Sequence, residues 1–432
     1  MPFCYHQITI NQNFLVMKIR AQIDRIKHSK DGRTIASNMV YLSLLQIAGY
    51  IFPLITMPYL ARVIGADGFG KIAFAAAIIT WIQTIADWGF NYTATRDVAK
   101  NRDNEEIISN IFSRVLWARC VLALFSLIIL IGLILFIPTF RENSKIILFT
   151  FLIVPGQILY PDWFFQAIEK MKYITILGVM TRFIFTLLVF VFIREKEDYI
   201  FQPLITSFGY VCSGLIALYY ILIKWHVKIK HIPLRDIFKT ITNSTNVFIN
   251  NLMPNLYNSF SVILLGFFGT PTHTGLYDAG KKLTALSNTA MTVVSRAFFP
   301  FLSRRIDKHN LYQFFSLSIA ATFTLILLLF APWLIKFFFG NDFSESILVL
   351  QITAPAIFFV NMCSVYGTNY LIVNGYDRIM RNITLVSSII GFAIAFPLIL
   401  LYKYLGAAIV YTTASFILGT LSLIYAKKKG LK

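Results

Sequence analysis

Apolar stretches of about twenty residues follow one another from residue 38 to residue 426, separated by short polar breaks. At about 1.5 Å of rise per residue, each matches the roughly 30 Å hydrocarbon core of a bilayer. In hydrocarbon every backbone N–H and C=O must be answered within the protein, which leaves helices or closed barrels. Runs this long select helices. Of the 432 residues 57% are hydrophobic and only 14% charged, against roughly 25% charged in an ordinary soluble domain. Mean hydropathy is +0.68. A soluble enzyme, a disordered chain and a collagen-like chain are excluded, and an all-α integral membrane protein is expected.

Twelve transmembrane spans can be drawn, over 38–60, 72–93, 115–137, 146–166, 174–193, 200–223, 246–268, 277–301, 312–335, 346–372, 382–402 and 406–426. The second, seventh and eighth carry several polar residues and stand out least. An even number returns both termini to one side. Connections on that side hold 26 Lys and Arg, against 8 opposite and 5 within the spans. Basic connections stay cytoplasmic, so both termini are placed in the cytoplasm. The formal charge of +19 then belongs to loops facing anionic membrane lipids, and no nucleic acid is needed as partner.

Residues 1–16 lack the basic start and cleavage site of a signal peptide and read as an upstream extension, with Met17 as the expected initiator. In 17–33, Ile19, Ile23 and Ile26 are flanked by Lys18, Arg20, Arg25 and Lys27, a basic amphipathic helix suited to the inner-leaflet surface. The longest basic connection, 224–245, divides the chain into 34–223 and 246–432, six spans each. The halves share a pattern: Pro53, Gly65 and Gly70 in one, Pro254, Gly269 and Gly275 in the other. In each, a proline-broken span meets a Gly-rich turn and a helix start. Cys4, Cys120, Cys212 and Cys363 form no CxxC pair; the last three fall in apolar runs and read as small core hydrophobes.

Charge within a span is costly and persists where it meets a partner or water. Arg119, Arg182, Lys281, Lys282 and Arg296 qualify. Arg182 lies eight residues into its span, too deep for easy snorkelling, and is either a cavity cation or half of a structural ion pair. Arg119 lies near the cytoplasmic end, where snorkelling competes with a cavity role. Lys282 and Arg296, fourteen residues apart, fall within about 40° of one helix face. With Asp278 four residues before Lys282, they form either a charge ladder or a paired top above a snorkelling bottom.

Polar stripes accompany these cations. Thr80, Thr84, Asp87 and Asn91 share one helix face; Asn251, Asn255 and Asn258 share another; Asn361, Ser364 and Thr368 share a third. Interhelical hydrogen bonds or a hydrated interior cleft would each account for them. Asp162, beside Trp163, reads as an interfacial anchor. An electropositive cleft would match phosphate or carboxylate oxygens. Gly275–Lys281 imitates GxxxxGK, but Lys282 follows where Ser or Thr is needed and a membrane span replaces the nucleotide fold, so it is no P-loop. No HExxH, GxSxG or GxGxxG occurs. No enzyme chemistry, metal or cofactor is expected.

Residues 53–75 (PLITMPYLARVIGADGFGKIAFA), 87–100 (DWGFNYTATRDVAK) and 164–175 (FFQAIEKMKYIT) resemble the Wzx-type O-antigen and capsular repeat-unit flippases of the multidrug/oligosaccharidyl-lipid/polysaccharide exporter superfamily. The resemblance implies two six-helix lobes around a central cavity and alternating access. The implied cargo is an undecaprenyl-diphosphate-linked glycan, moved across the bacterial inner membrane to the periplasmic leaflet. It further implies coupling to H+ or Na+, and a polysaccharide polymerase and chain-length machinery as partners. Arg182, Lys281, Lys282, Arg296 and Arg119 suit the cationic cavity by type and depth, with Asp87, Asn91, Asn251, Asn255 and Asn258 lining the path. Arg62, Arg96 and Asp97 lie inside the matching motifs and would serve a gate or lobe-end ion pairing. Two rivals stay open. A small-molecule antiporter of the same superfamily would prefer acidic cavity residues. A membrane glycan polymerase or ligase would present sizeable periplasmic loops.

Overall fold

A computed structural model describes residues 30–302 and 305–431. The 1–16 extension and residues 17–29 of the amphipathic segment lie outside the described residues. The described chain is helical throughout and contains no strand. Eight helical segments among the described residues are long and apolar enough to cross a membrane.

Two of the eight are hairpins. The helix Lys30–Asp87 is interrupted at Gly65 (φ 66°, ψ −178°), giving α1 (30–64) and α2 (66–87). Asn38 and Arg102 both bond Glu169 at one end of the molecule. Tyr59 bonds the Ile193 carbonyl, and Lys71 sits over the Tyr199 ring at the other. The chain therefore doubles back at Gly65, where a residue with a Cβ would be strained. Phe90–Lys100 (α3) and Glu105–Phe136 (α4) follow. The next span, Ser144–Ala167 (α5), is broken into short helices around Pro155 and Pro161. Met171–Phe192 (α6) and Phe201–Lys224 (α7) complete the first half.

In the second half Leu234–Leu252 (α8) and Ser259–Phe268 (α9) are separated by a short turn at Pro254. Pro271–Leu302 (α10) and His309–Leu329 (α11) follow. Ser346–Ile372 (α12) ends in a π-helix over Cys363–Ile372. The helix Asp377–Lys428 is interrupted at Lys403 (φ 50°), giving α13 (377–402) and α14 (404–428). A Cβ built on Gly391 would stand 3.1 Å from that of Ala414, and one on Gly406 2.0 Å from the Leu398 carbonyl, so these limbs are also antiparallel. The eight segments thus hold ten apolar limbs. The polar α8 and α10 fall outside them, and the apolar α9 does so because the turn at Pro254 leaves it only ten residues long.

The outer faces are apolar. Leu124, Phe125 and Ile128 on α4, Phe183, Leu187 and Val191 on α6, and Leu325 and Leu329 on α11 are all exposed. Exposed apolar surface on this scale suits lipid.

The two halves meet along two seams. Helix α2 packs on α8 and α9 through Phe74–Phe267, Trp81–Phe260 and the stacked pair Trp88–Phe248, whose rings lie 3.8 Å apart. The other seam is closest at Gly70 and Gly275. A Cβ on Gly70 would lie 1.7 Å from the Pro271 carbonyl oxygen, and one on Gly275 2.0 Å from that of Ala66. The two glycines that occupy equivalent places in the halves' shared pattern therefore touch each other, and only glycine permits the approach. Gly70→Ala should lower stability by about 1–3 kcal/mol through overpacking. Gly132→Ala, at a site facing open space, should change it by less than about 0.5 kcal/mol. Melting in detergent checks both; an unchanged midpoint for Gly70→Ala would contradict the close seam.

Candidate functional site

A cavity of about 640 Å³ opens among α1, α2, α4, α5, α6 and α7. Every lining residue but Asn251 comes from the first half of the chain. The stripe on α2 faces it: Thr80, Thr84 and Asp87 line it, with Asn91 from the start of α3. The two threonine hydroxyls donate to the carbonyls of Ala76 and Thr80, so their donors are spent on their own helix.

Arg119 enters from α4. Its side chain is only 6% exposed, so it does not snorkel. Its guanidinium donates to the Asp87 carboxylate and to Asn91 Oδ1 at 2.7 Å. Its Nε, also buried, has no acceptor among the described residues. Pairing removes most of the cost of a buried guanidinium, and the second acceptor holds its plane.

The breaks in α5 turn Gln157, Tyr160 and Asp162 into the cavity. Asp162 accepts from the Trp163 N–H at 2.8 Å and lies in electrostatic range of both Arg119 and Asp87. It faces the cavity, a placement the interfacial-anchor reading did not anticipate. Among the described residues it has no cation within 4 Å. From α7 come Gln202, Thr206, Tyr210 and Ser213. Their spacing of four, four and three puts them on one helix face, a stripe that sequence inspection could have found and did not.

Arg182 projects from α6 at the border of two spaces. It lines the polar cavity, and it also lines a groove of about 420 Å³ between α1 and α10. That groove is bounded by Leu45, Gly49, Pro53, Met57, Ala285 and Leu286, with Lys282 opposite Arg182. Among the described residues the guanidinium reaches only the Leu45 carbonyl, at a long 3.5 Å. No carboxylate lies within 4 Å of it among the described residues.

The other sequence candidates are placed elsewhere. Lys281 is not in the cavity. Its ammonium donates to Asn258 Oδ1 at 3.2 Å and sits about 5 Å from the Tyr277 and Tyr411 rings. Lys282 pairs with Asp278 at 2.6 Å. Arg296 is exposed on α10, outside the cavity and the groove. The asparagine stripe scatters because of the turn at Pro254: Asn251 faces the cavity, Asn255 donates to Thr84 Oγ1 across the seam, and Asn258 holds Lys281. Asn361 bonds Ser316 within the second half, a structural contact. Arg62 donates to the Phe337 carbonyl at 2.8 Å. Arg96 pairs with its neighbour Asp97 at 3.0 Å, and both line a separate pocket of about 370 Å³ with Arg114 and residues of α8.

Helices of bilayer length, halves joined along two seams and a charged interior cavity define a multi-pass membrane transporter. Residues 35–305 match the family described as polysaccharide biosynthesis protein, and the chain belongs to that family. It is 28% identical over 402 residues, 91% of its length and 97% of the relative's, to the Escherichia coli (strain K12) protein named "Putative O-antigen transporter". Among solved structures, the lipid II flippase MurJ in an inward closed conformation is similar with a TM-score of 0.70 at 14% identity, over 89% of this chain and 87% of that one. An inward-facing multidrug resistance MATE family transporter of the MOP superfamily is similar with a TM-score of 0.61 at 14% identity, over 91% and 98%. These two likenesses show the fold.

Asp87→Ala leaves Arg119 buried without its anion and should cost about 3–5 kcal/mol. Adding Arg119→Met should restore most of the loss. Thermal unfolding of the purified variants decides; a single variant as stable as the parent would mean that the pair is not buried.

Proposed function

We propose that this protein is a flippase, moving undecaprenyl-diphosphate-linked oligosaccharide repeat units from the cytoplasmic to the periplasmic leaflet of a bacterial inner membrane. The observation that carries the reading is the position of Arg182, a cation without a carboxylate partner among the described residues, where a polar cavity meets an apolar groove. A lipid-linked glycan has the same three parts in the same order. Hydroxyl-rich sugars fit the Gln, Thr, Tyr and Asn lining of the cavity. The diphosphate fits Arg182, with Lys282 across the groove, since guanidinium and ammonium groups match phosphate oxygens. The polyprenyl chain fits apolar surface continuous with lipid.

In this reading the α8–α9 pair and α10 join the ten apolar limbs as spans, making twelve. They form lobes over 34–223 and 246–432, joined by the 224–245 connection. The excess of basic residues on one side of the spans supports cytoplasmic termini. Alternating access shifts an equilibrium between two arrangements of the lobes, and the cargo must bind them unequally for net movement to gain a direction. The family named above and the relative's printed name support the cargo class. A polysaccharide polymerase and chain-length machinery would receive it. No covalent step is required of any side chain. The small-molecule antiporter is disfavoured because Asp87 and Asp162 face two arginines, which leaves no net negative charge for a cationic drug.

Arg182→Ala, expressed at normal level, should abolish surface polysaccharide and leave lipid-linked repeat units on the cytoplasmic side. A leaflet-resolved assay with defined cargo measures this. Full complementation by the variant would remove Arg182 from the site.

A further inference from the structure

We propose that the pocket where α3, α4 and α8 meet is a phosphate site, separate from the cargo cavity, in which a phosphorylated group ties the two halves of the chain together. The inference is independent of the cargo reading. The pocket measures about 370 Å³, within the roughly 300–1,000 Å³ of small-molecule sites. Thr93 and Arg96 line it from α3, Arg114 from α4, and Asn243 and Ser244 from α8. The Thr93 and Ser244 hydroxyls are hydrogen-bonded to each other at 2.9 Å across the seam. None of these five residues lines the cavity or the groove.

Both arginines have donors to spare. Arg96 spends its Nε on Asp97 at 3.0 Å, and its two terminal nitrogens have no acceptor among the described residues. Arg114 comes no closer than 3.8 Å to the Asp236 carboxylate, too far for a hydrogen bond. The Asn243 amide has no partner among the described residues. The donors are within reach of a ligand, since the Arg96 side chain is 62% exposed and that of Arg114 42%. Pairs so exposed hold their arginines weakly and yield them to a stronger acceptor. One guanidinium fork by itself answers the two oxygens of a carboxylate. Two forks and an amide, from three helices, suit an anion with more oxygens, which is a phosphate. Three residues beyond Arg114, the exposed Trp117 donates its indole N–H to the Lys230 carbonyl at 3.1 Å. A tryptophan with one apolar and one polar side marks the membrane interface. The pocket therefore stands at head-group depth, where lipid phosphates and dissolved phosphate both have access. Because α3 and α4 belong to the first half and α8 to the second, an occupant held by Arg96, Arg114 and Asn243 fastens the seam.

The test uses the full chain in dodecyl maltoside, in a buffer free of phosphate, with thermal unfolding as the readout. Two probes are added separately: inorganic phosphate, with ionic strength held constant by chloride, and phosphatidylglycerol in the micelles. At least one should raise the wild-type midpoint by a few degrees, since a ligand of the folded state stabilises it. Arg114→Gln should lose the rise and Arg96→Gln most of it. Lys172→Gln, which removes an exposed charge outside the pocket, should keep it. A rise with inorganic phosphate identifies a site filled from solution, and a rise with phosphatidylglycerol alone identifies the lipid head group. No rise with either probe overturns the proposal. So does a rise that survives in both arginine variants or vanishes in Lys172→Gln. If Arg114→Gln does not fold, Arg96→Gln decides by the same criterion.

Discussion

At membrane depth no charge can be left to water, and the ion pair between Arg119 and Asp87 is where this constraint shapes the first half of the chain. The guanidinium is nearly inaccessible, yet α2 and the start of α3 supply a carboxylate and an amide oxygen to hold it. That requirement fixes how α4 faces α2. It also keeps polar side chains pointing inward around a space that apolar packing would otherwise fill. The cavity is the consequence of several helices each turning its polar stripe away from lipid.

A second constraint works through the absence of side chains. Gly70 and Gly275 let backbones touch where the halves meet. The opposite seam is made of large rings, from Phe74–Phe267 to Trp88–Phe248. A glycine contact is intolerant of added volume.

Much of the fold was legible in the amino-acid order because bilayer length and backbone satisfaction allow so few solutions. The all-helical, membrane-crossing character of the chain and the turn at Gly65 could be read directly, whereas the helix runs unbroken through Pro53, where a proline break was expected. The site was legible only in part. The α2 stripe does reach the cavity, and Arg119 and Arg182 do line it. The asparagines at 251, 255 and 258 share a face only if the helix is continuous, and the turn at Pro254 sends them three ways. Asp162 looked interfacial because Trp163 stands beside it. The breaks at Pro155 and Pro161 turn it inward, which periodicity cannot anticipate.

The sequence by itself determined that the chain is a helical membrane protein and that several cations fall within its apolar stretches. These follow from transfer energies, which are local properties of each stretch. Which cations share a space was decided only by tertiary structure. Lys281 and Lys282 are adjacent, yet one sits between tyrosine rings and the other pairs with Asp278 beside a groove. Arg119 and Arg182, far apart in the chain, open on one cavity. Helix rotation, kinks and packing partners set those neighbours, and they arise from contacts between segments that no single segment encodes.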